Sequence, residues 1–116
     1  MKGDYNKNKI AREVHLRIIY SLRQMLGDNK IKRSENPDSS YKFPSTYRDI
    51  YFKSDIREAT ISDTFNGKTL PNATTLFIII ESMGYSLKEF TEIYEQVSKE
   101  ELRLLDVDID VREYFR

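Results

Sequence analysis

From Ala59 to Phe90 the chain reads ATISDTFNGKTLPNATTLFIIIESMGYSLKEF, and this order of residues predicts three helices separated by two tight turns. The first helix is expected to end at Asn66–Gly67, because both residues adopt positive φ at low cost. Asn72 is a good N-cap for the second helix, and the apolar run Leu76–Ile80 makes that helix the centre of the core. Residues Ser86–Glu89 form a capping box, which starts the third helix.

Another long helix is predicted near the start of the chain. It begins near Asn8, repeats apolar residues at three- and four-residue steps, and is expected to end at Gly27, a natural C-cap. Residues 28–45 show neither helical nor strand periodicity and contain two prolines, so they predict a long loop. The basic residues of this loop either touch phosphates or only face solvent; they are Lys30, Lys32 and Arg33.

A short helix connects this loop to the Ala59–Phe90 stretch. Ser45 or Thr46 is the predicted N-cap, and the helix covers about residues 47–53. After a break, Ile56 fills the turn, and the next helix covers about residues 58–65. The phenylalanines assigned to the core are Phe65, Phe77 and Phe90.

The C-terminal residues change period. Val107, Ile109 and Val111 alternate with acids, which is a pattern typical of a strand. A lone strand needs a partner, and the same strand of a second subunit would supply one; the alternatives are a frayed tail or a short helix capped at Asp110. The predicted division is a domain over residues 1–105 and a tail over residues 106–116 that pairs two subunits.

The composition indicates a single domain in the cytoplasm. The chain has 116 residues, 39% of them hydrophobic and 33% charged, which suffices for one modest core. Cysteine is absent, so disulfides and thiolate metal sites are excluded. No apolar run approaches the roughly 20 residues that span a bilayer, and the first residues lack the apolar stretch of a signal peptide. We therefore expect no association with a membrane.

The charges are balanced overall but divided between the halves. Residues 1–57 hold 13 Lys/Arg and 7 Asp/Glu, a net charge of +6, whereas residues 58–116 hold 6 and 12, a net charge of −6. This asymmetry indicates either a basic face toward nucleic acid with an acidic face away from it, or only variation along a solvated surface.

Catalytic and metal-binding patterns are missing from the sequence. The single histidine, His15, has no partner that would suggest acid–base chemistry, and no phosphate-cradling or nucleophile motif occurs. The alternating Asp106, Asp108 and Asp110 lack the glycine and glutamate that complete a calcium loop. We therefore expect neither an enzyme nor a bound metal or cofactor.

Five short motifs occur together at one set of spacings. They are Thr60-Ile61-Ser62, Asn66-Gly67-Lys68, Pro71, Thr75-Leu76 and Met83-Gly84-Tyr85-Ser86-Leu87. In this order they resemble the second half of a Cro-like (XRE-family) helix-turn-helix domain, and the resemblance extends over about residues 10–102. It implies an all-α, five-helix lambda-repressor-like domain, here with a long loop after the first helix and a strand-like C-terminal tail. It also implies that the helix over residues 58–65 enters the DNA major groove.

The resemblance implies contacts for eight residues. Those expected to meet the phosphate backbone are Thr46, Tyr47 and Lys68, and those presented to the groove are Arg57, Glu58, Ser62, Asp63 and Asn66. Two departures from the family pattern concern the turn and the charge of the reading helix. Asp55 replaces the glycine common in the turn, and Glu58 and Asp63 place two acids near phosphates, where they reduce nonspecific attraction.

The predicted function is sequence-specific binding of double-stranded DNA by a homodimeric transcriptional regulator. The alternative is a protein-interaction module that keeps the helix-turn-helix scaffold without binding DNA, which the two acids of the reading helix would favour. Fold alone does not decide between these functions.

Overall fold

A computed structural model describes the backbone of residues 2–114 and the side chains of residues 8–112. In order, the α-helices are α1 (Lys2–Glu35), α2 (Tyr47–Ser54), α3 (Glu58–Phe65), α4 (Ala73–Ser82), α5 (Leu87–Gln96) and α6 (Lys99–Tyr114). A short 3-10 helix, Pro37–Lys42, lies between α1 and α2. No strand occurs within residues 2–114, so the described chain is all-α. Helices α1 and α6 are longer than the sequence predicts.

The long loop predicted over residues 28–45 is wrong, because α1 continues through Gly27 as far as Glu35. A glycine inside a helix costs about 1 kcal/mol relative to alanine, and contacts of the following turns offset that cost. Asn29 is buried, and its Nδ2 donates to the carbonyls of Pro44 at 2.7 Å and Met83 at 2.9 Å. Arg33 Nη1 donates to Asp49 Oδ2 at 2.9 Å.

The strand predicted for the tail is also wrong. Residues 106–114 belong to α6, and the proposed boundary between residues 105 and 106 falls inside that helix, while residues 115–116 lie outside the described part. Leu102, Leu105 and Ile109 follow the three- and four-residue steps of a helix and are buried. Val107 and Val111, which gave the alternating pattern, are about half exposed. Packing on α1 therefore selects the helical period.

Two apolar clusters hold the helices around α1. The larger cluster joins α1 to α2, α3, α4 and α5, and its fully buried members include Leu22, Met25, Ile50, Ile61, Phe65 and Ile79. The smaller cluster joins α1 to α6 and consists of Leu16, Ile19, Val97, Leu102, Leu105 and Ile109. Because different turns of α1 serve both clusters, α1 is the central support of the fold.

The predicted helix ends agree with the structure in α2 to α5. The side chains of Thr46 and Asn72 each accept a backbone N–H as N-caps, and Ser86 with Glu89 forms the capping box. Gly67 and Gly84 end their helices at φ values of 76° and 87°. Of the three phenylalanines assigned to the core, Phe65 and Phe90 are buried, but Phe77 is 44% exposed. Its neighbours Leu76, Ile79, Ile80 and Met83 form the inner face of α4 and leave position 77 outside.

None of the helices in residues 2–114 is long and apolar enough to cross a membrane.

Candidate nucleic-acid interface

A three-residue turn, Asp55 to Arg57, joins α2 to α3. Asp55 has φ 61° and ψ 15°, the left-handed conformation, and its N–H donates to the Tyr51 carbonyl at 2.8 Å. Aspartate is one of the few residues other than glycine that visits this region readily. The Ile56 N–H donates to Ser54 Oγ at 3.0 Å, and the Ile56 side chain packs against the larger cluster, as predicted. Asp55 therefore adopts the conformation for which the family pattern uses glycine.

The short helix α3 is anchored by one face and open on the other. Ile61, Thr64 and Phe65 are buried, and the Phe65 ring lies 5.2 Å from the Tyr47 ring at the start of α2. The outer face is exposed at Glu58, Ala59 and Thr60 and half-exposed at Ser62 and Asp63. The buried face fixes the orientation of α3, so the outer side chains are presented to whatever approaches from solvent.

The predicted phosphate contacts at the start of α2 lie next to the end of α3. Thr46 is exposed, and its Oγ1 accepts the Asp49 N–H at 3.1 Å. Tyr47 is half-buried, and its packing on Phe65 brings it beside Asn66. Arg57 lies at the opposite end of α3, where it is exposed and makes no side-chain cap. The eight predicted residues thus follow the length of α3 rather than forming one compact cluster.

Two internal pairs organise the second half of α3. Asn66 Nδ2 donates to the Ser62 carbonyl at 2.9 Å and to Ser62 Oγ at 3.3 Å. Lys68 Nζ lies 3.7 Å from Asp63 Oδ1, and the Lys68 N–H donates to the Asp63 carbonyl at 2.9 Å. The lysine therefore offsets one of the two acids of α3, and Glu58 remains as an exposed negative charge.

The first turn of α2 is tied to α1 by Asp49. Its carboxylate accepts hydrogen bonds from Arg33 Nη1 at 2.9 Å and from the Ser45 N–H at 3.0 Å. Burial raises the pKa of Asp49, but the hydrogen bonds from Ser45 and Thr46 and the Arg33 charge together outweigh it and lower that pKa. Asp49 therefore stays ionised, and the Arg33–Asp49 ion pair fixes the N-terminus of α2 relative to α1.

Sequence reasoning missed one residue that holds the end of α3. Arg23 of α1 donates from Nε to the Phe65 carbonyl at 2.8 Å and from Nη1 to Asp108 Oδ2 at 3.3 Å. Asp108 Oδ2 also forms an ion pair with Arg112, whose Nε lies 3.1 Å away. The four-residue step from Asp108 to Arg112 is typical of an ion pair within a helix. Had the tail been interpreted as a helix, this ion pair would have been predicted.

Two of the three alternating acids of α6 form ion pairs. Asp106 pairs with Arg12, and Asp108 pairs with Arg23 and Arg112. Across the described residues, no three His, Cys, Asp or Glu side chains come together in a way that could hold a metal ion. His15 is half-buried on α1, where burial first and the Arg12 charge second lower its pKa, against a backbone hydrogen bond at Thr69 that raises it.

No protein-family model, curated protein or solved structure matches this chain. The function proposed next is therefore inferred from the residues and contacts of the chain itself.

Proposed function

We propose that this chain is a lambda-repressor-like helix-turn-helix protein that binds double-stranded DNA sequence-specifically, with α3 in the major groove, and acts as a homodimeric transcriptional regulator. The observation that carries the proposal is the combination of a three-residue turn and a short, one-sided helix. Ile61, Thr64 and Phe65 anchor α3, while its outer face stays open to solvent. A helix held in this way is suited to enter a groove with its side chains fixed in direction.

The proposed footprint has phosphate contacts at both ends of α3. Thr46 and Tyr47 meet the backbone near the end of α3, and Arg57 meets it at the beginning. Arg48 and Lys53 of α2 are exposed and add positive charge beside the footprint. Ser62, Asp63 and Asn66 face the groove, where Asn66 would have to release its hydrogen bonds to Ser62 before it contacts a base. Glu58 is suited to accept a hydrogen bond from cytosine N4.

An apolar stripe on α6 supports the homodimer. Leu104, Val107 and Val111 follow three- and four-residue steps and are 55%, 51% and 48% exposed, on the side of α6 away from its buried stripe. Such a repeat is typical of a helix that packs against another helix. If two copies of α6 meet antiparallel around Val107, the exposed Arg103 of each lies near the exposed Asp110 of the other. This self-complementary charge favours a second copy as the partner.

The first experiment is a fluorescence-anisotropy titration of labelled random DNA and of DNA from upstream of the coding sequence, at two salt concentrations. We expect tight binding to one upstream sequence and weaker, salt-sensitive binding to random DNA. An absence of binding to both, even at low salt, would refute the proposal.

The footprint is tested by replacing Arg57 and Lys68 together with alanine. Because each neutralised phosphate contributes about 0.9 to the slope of log affinity against log salt, the double variant should bind more weakly and with a shallower slope. The matched control replaces Lys88 and Lys99, two exposed lysines of α5 and α6, and removes the same charge. Equal slopes for both double variants would show that Arg57 and Lys68 do not contact phosphate.

The dimer is tested by Val107→Glu in sedimentation equilibrium. At the proposed twofold axis the introduced carboxylate lies beside the same carboxylate of the second copy, and the two repel each other. We therefore expect a shift to monomer and weaker binding to an operator with two half-sites. Ile10→Glu is the control, because Ile10 is 63% exposed on α1 and lies outside the α6 stripe. A dimer that survives Val107→Glu unchanged would place the association surface elsewhere.

The second candidate function is a protein-interaction module on the same scaffold. The observation that favours it is the acidity of the outer face of α3, where Glu58 is exposed and Lys68 is already held by Asp63. This candidate requires no DNA retardation at low salt together with a stable complex with another protein. Glu58→Gln separates the two: loss of a repulsive acid strengthens nonspecific DNA binding, whereas it weakens contact with a basic protein partner.

A further inference from the structure

A small pocket opens where α1, the end of α3 and α6 meet. Its volume is about 220 Å³, and its polar lining comes from Arg23, Lys30, Tyr47, Asn66 and Arg112. Tyr47 and Asn66 are two of the eight residues expected to contact DNA. For Lys30 the sequence left phosphate contact and solvent exposure open, and Arg23 and Arg112 were not candidates at all. The fold therefore adds three cationic side chains from α1 and α6 to the end of the proposed reading helix.

The charge around this pocket is unbalanced. Asp108 is the carboxylate that neutralises its cations, and it serves both Arg23 at 3.3 Å and Arg112 at 3.1 Å. Lys30 is exposed on α1 and takes part in none of the ion pairs found within residues 8–112. Three positive charges share one negative charge, so the pocket attracts an anion.

The hydrogen-bonding groups of the pocket suit an oxyanion. Arg23 uses Nε on the Phe65 carbonyl and Nη1 on Asp108, while its Nη2 is buried and has no partner among the described residues. Arginine and lysine side chains are the usual donors to phosphate oxygens, the former through a planar fork and the latter as a point charge. Tyr47 and Asn66 line the pocket on the side toward α2 and α3, and the Asn66 amide becomes a neutral donor to an oxyanion once it releases its hydrogen bonds to Ser62.

We infer that this pocket binds a phosphate group, and that the group is a backbone phosphate of the DNA beside the end of α3. That the phosphate belongs to DNA rests on the proposed function. That the pocket binds phosphate at all is tested separately, with inorganic phosphate. Lys30 and Arg112 extend the footprint beyond α2 and α3, onto the central helix α1 and onto α6. The same α6 carries the apolar stripe of the proposed dimer, so both halves of an operator would be contacted through this helix.

The phosphate arm uses the full chain and two-dimensional amide NMR. Inorganic phosphate is titrated against sodium chloride of matched ionic strength, and the Asn66 side-chain amide and the Gly67 N–H are followed. We expect saturable shifts with phosphate that the Lys30→Ala/Arg112→Ala variant loses. The Lys88→Ala/Lys99→Ala variant removes the same charge from exposed positions on α5 and α6 and should keep the shifts. Shifts that follow ionic strength alone, with either salt, overturn the pocket.

The DNA arm measures the salt slope of duplex binding for the same variants. Loss of the one phosphate contact in the pocket lowers the slope by about 0.9, so we expect a decrease of this size for Lys30→Ala/Arg112→Ala and none for the control. Saturable phosphate shifts with an unchanged DNA slope overturn the backbone source and assign the pocket to a free phosphate compound. If the unaltered chain binds no DNA, the proposed function fails, and the phosphate arm still decides the pocket.

Folding of the variants is checked independently. Arg112→Ala removes one partner of Asp108 and could loosen α6, whereas Lys30→Ala removes an exposed side chain that has no ion pair in the described residues. Lys30→Ala alone should therefore keep the wild-type melting temperature and still weaken the phosphate shifts. If Lys30→Ala keeps the wild-type melting temperature and shows undiminished phosphate shifts, Lys30 is excluded from the site and the inference is refuted.

Discussion

Asn29→Ala tests whether the segment after Gly27 is held in place by the contacts that make it helical. Asn29 is 2% exposed, and both hydrogens of its Nδ2 are donated, one to the Pro44 carbonyl and one to the Met83 carbonyl. Removing the amide leaves two carbonyls buried without their donor. Each lost hydrogen bond costs about 1 kcal/mol, and more where the carbonyl that loses its donor stays buried away from water. The two losses together therefore cost about 2–4 kcal/mol.

One opposing effect reduces this loss. Alanine is a better helix former than asparagine by about 0.6 kcal/mol, so the expected net loss in the free energy of unfolding is about 1.5–3.5 kcal/mol. For a chain of 116 residues, an unfolding entropy of about 2 cal/mol/K per residue converts this loss into a decrease of roughly 6–14 °C in melting temperature. Asn8→Ala in the same helix is the control, because Asn8 is exposed and its replacement only adds helix propensity.

The assay is urea unfolding followed by circular dichroism, together with amide hydrogen exchange. We expect Asn29→Ala to lower the unfolding midpoint and to reduce protection in residues 30–35, which depend on this anchor. Asn8→Ala should stay within about 0.5 kcal/mol of the unaltered chain, on the stabilising side. If the two variants unfold alike, the hydrogen bonds of Asn29 are not what carries α1 past Gly27, and the reasoning fails.

Replacing Gly27 in α1 and Gly67 after α3 with alanine should change the free energy of unfolding in opposite directions. Gly27→Ala should raise the free energy of unfolding by about 1 kcal/mol, because an added Cβ meets nothing within 4 Å in a helical position. Gly67→Ala should lower the free energy of unfolding by at least about 1–2 kcal/mol from the positive φ alone. The added Cβ would also lie 3.0 Å from Ile19 Cδ1 and 3.1 Å from Ile109 Cδ1. Equal melting temperatures for the two variants would contradict this prediction. The lowered pKa of His15 means that the folded chain binds a proton less readily than the unfolded chain, so the free energy of unfolding should fall as the pH is lowered through about 6.5. His15→Gln should remove that dependence, and NMR titration of this single histidine should give a pKa below its ordinary value.

Local signals in the sequence predicted the middle of the fold well. Caps and positive-φ residues act within one or two turns, so Thr46, Asn72, Ser86 and Gly67 marked helix ends correctly. The assignment of Phe65 to the core was also correct. The positions of the eight candidate contact residues along α2 and α3 could be derived from these signals, because they depend on helices whose ends are set locally.

The two ends of the chain could not be predicted from local signals. Gly27 resembles a helix end, and the contacts that extend α1 beyond it, such as those of Asn29 and Arg33, are made with residues outside α1. The alternation of Val107, Ile109 and Val111 fits a strand, and the choice of a helix depends on Leu16 and Ile19 of α1 as the surface that α6 covers. The cationic pocket was missed for the same reason, since its cations come from helices that meet only in the folded chain.

The central position of α1 sets the order in which the protein can fold during synthesis. α1 leaves the ribosome before α2 to α6, but its partners lie far downstream. Arg17 Nη1 donates to the carbonyls of Tyr94 and Val97, 77 and 80 residues later, and Arg12 pairs with Asp106, 94 residues later. At about 5–20 residues per second, translation takes roughly 5–20 s to supply those partners. During that interval the apolar side chains at Leu16 and Ile19 have no α6 to cover them. A ribosome stalled before α6 therefore holds a nascent chain with these apolar side chains exposed, and such surfaces make incompletely folded chains prone to aggregate.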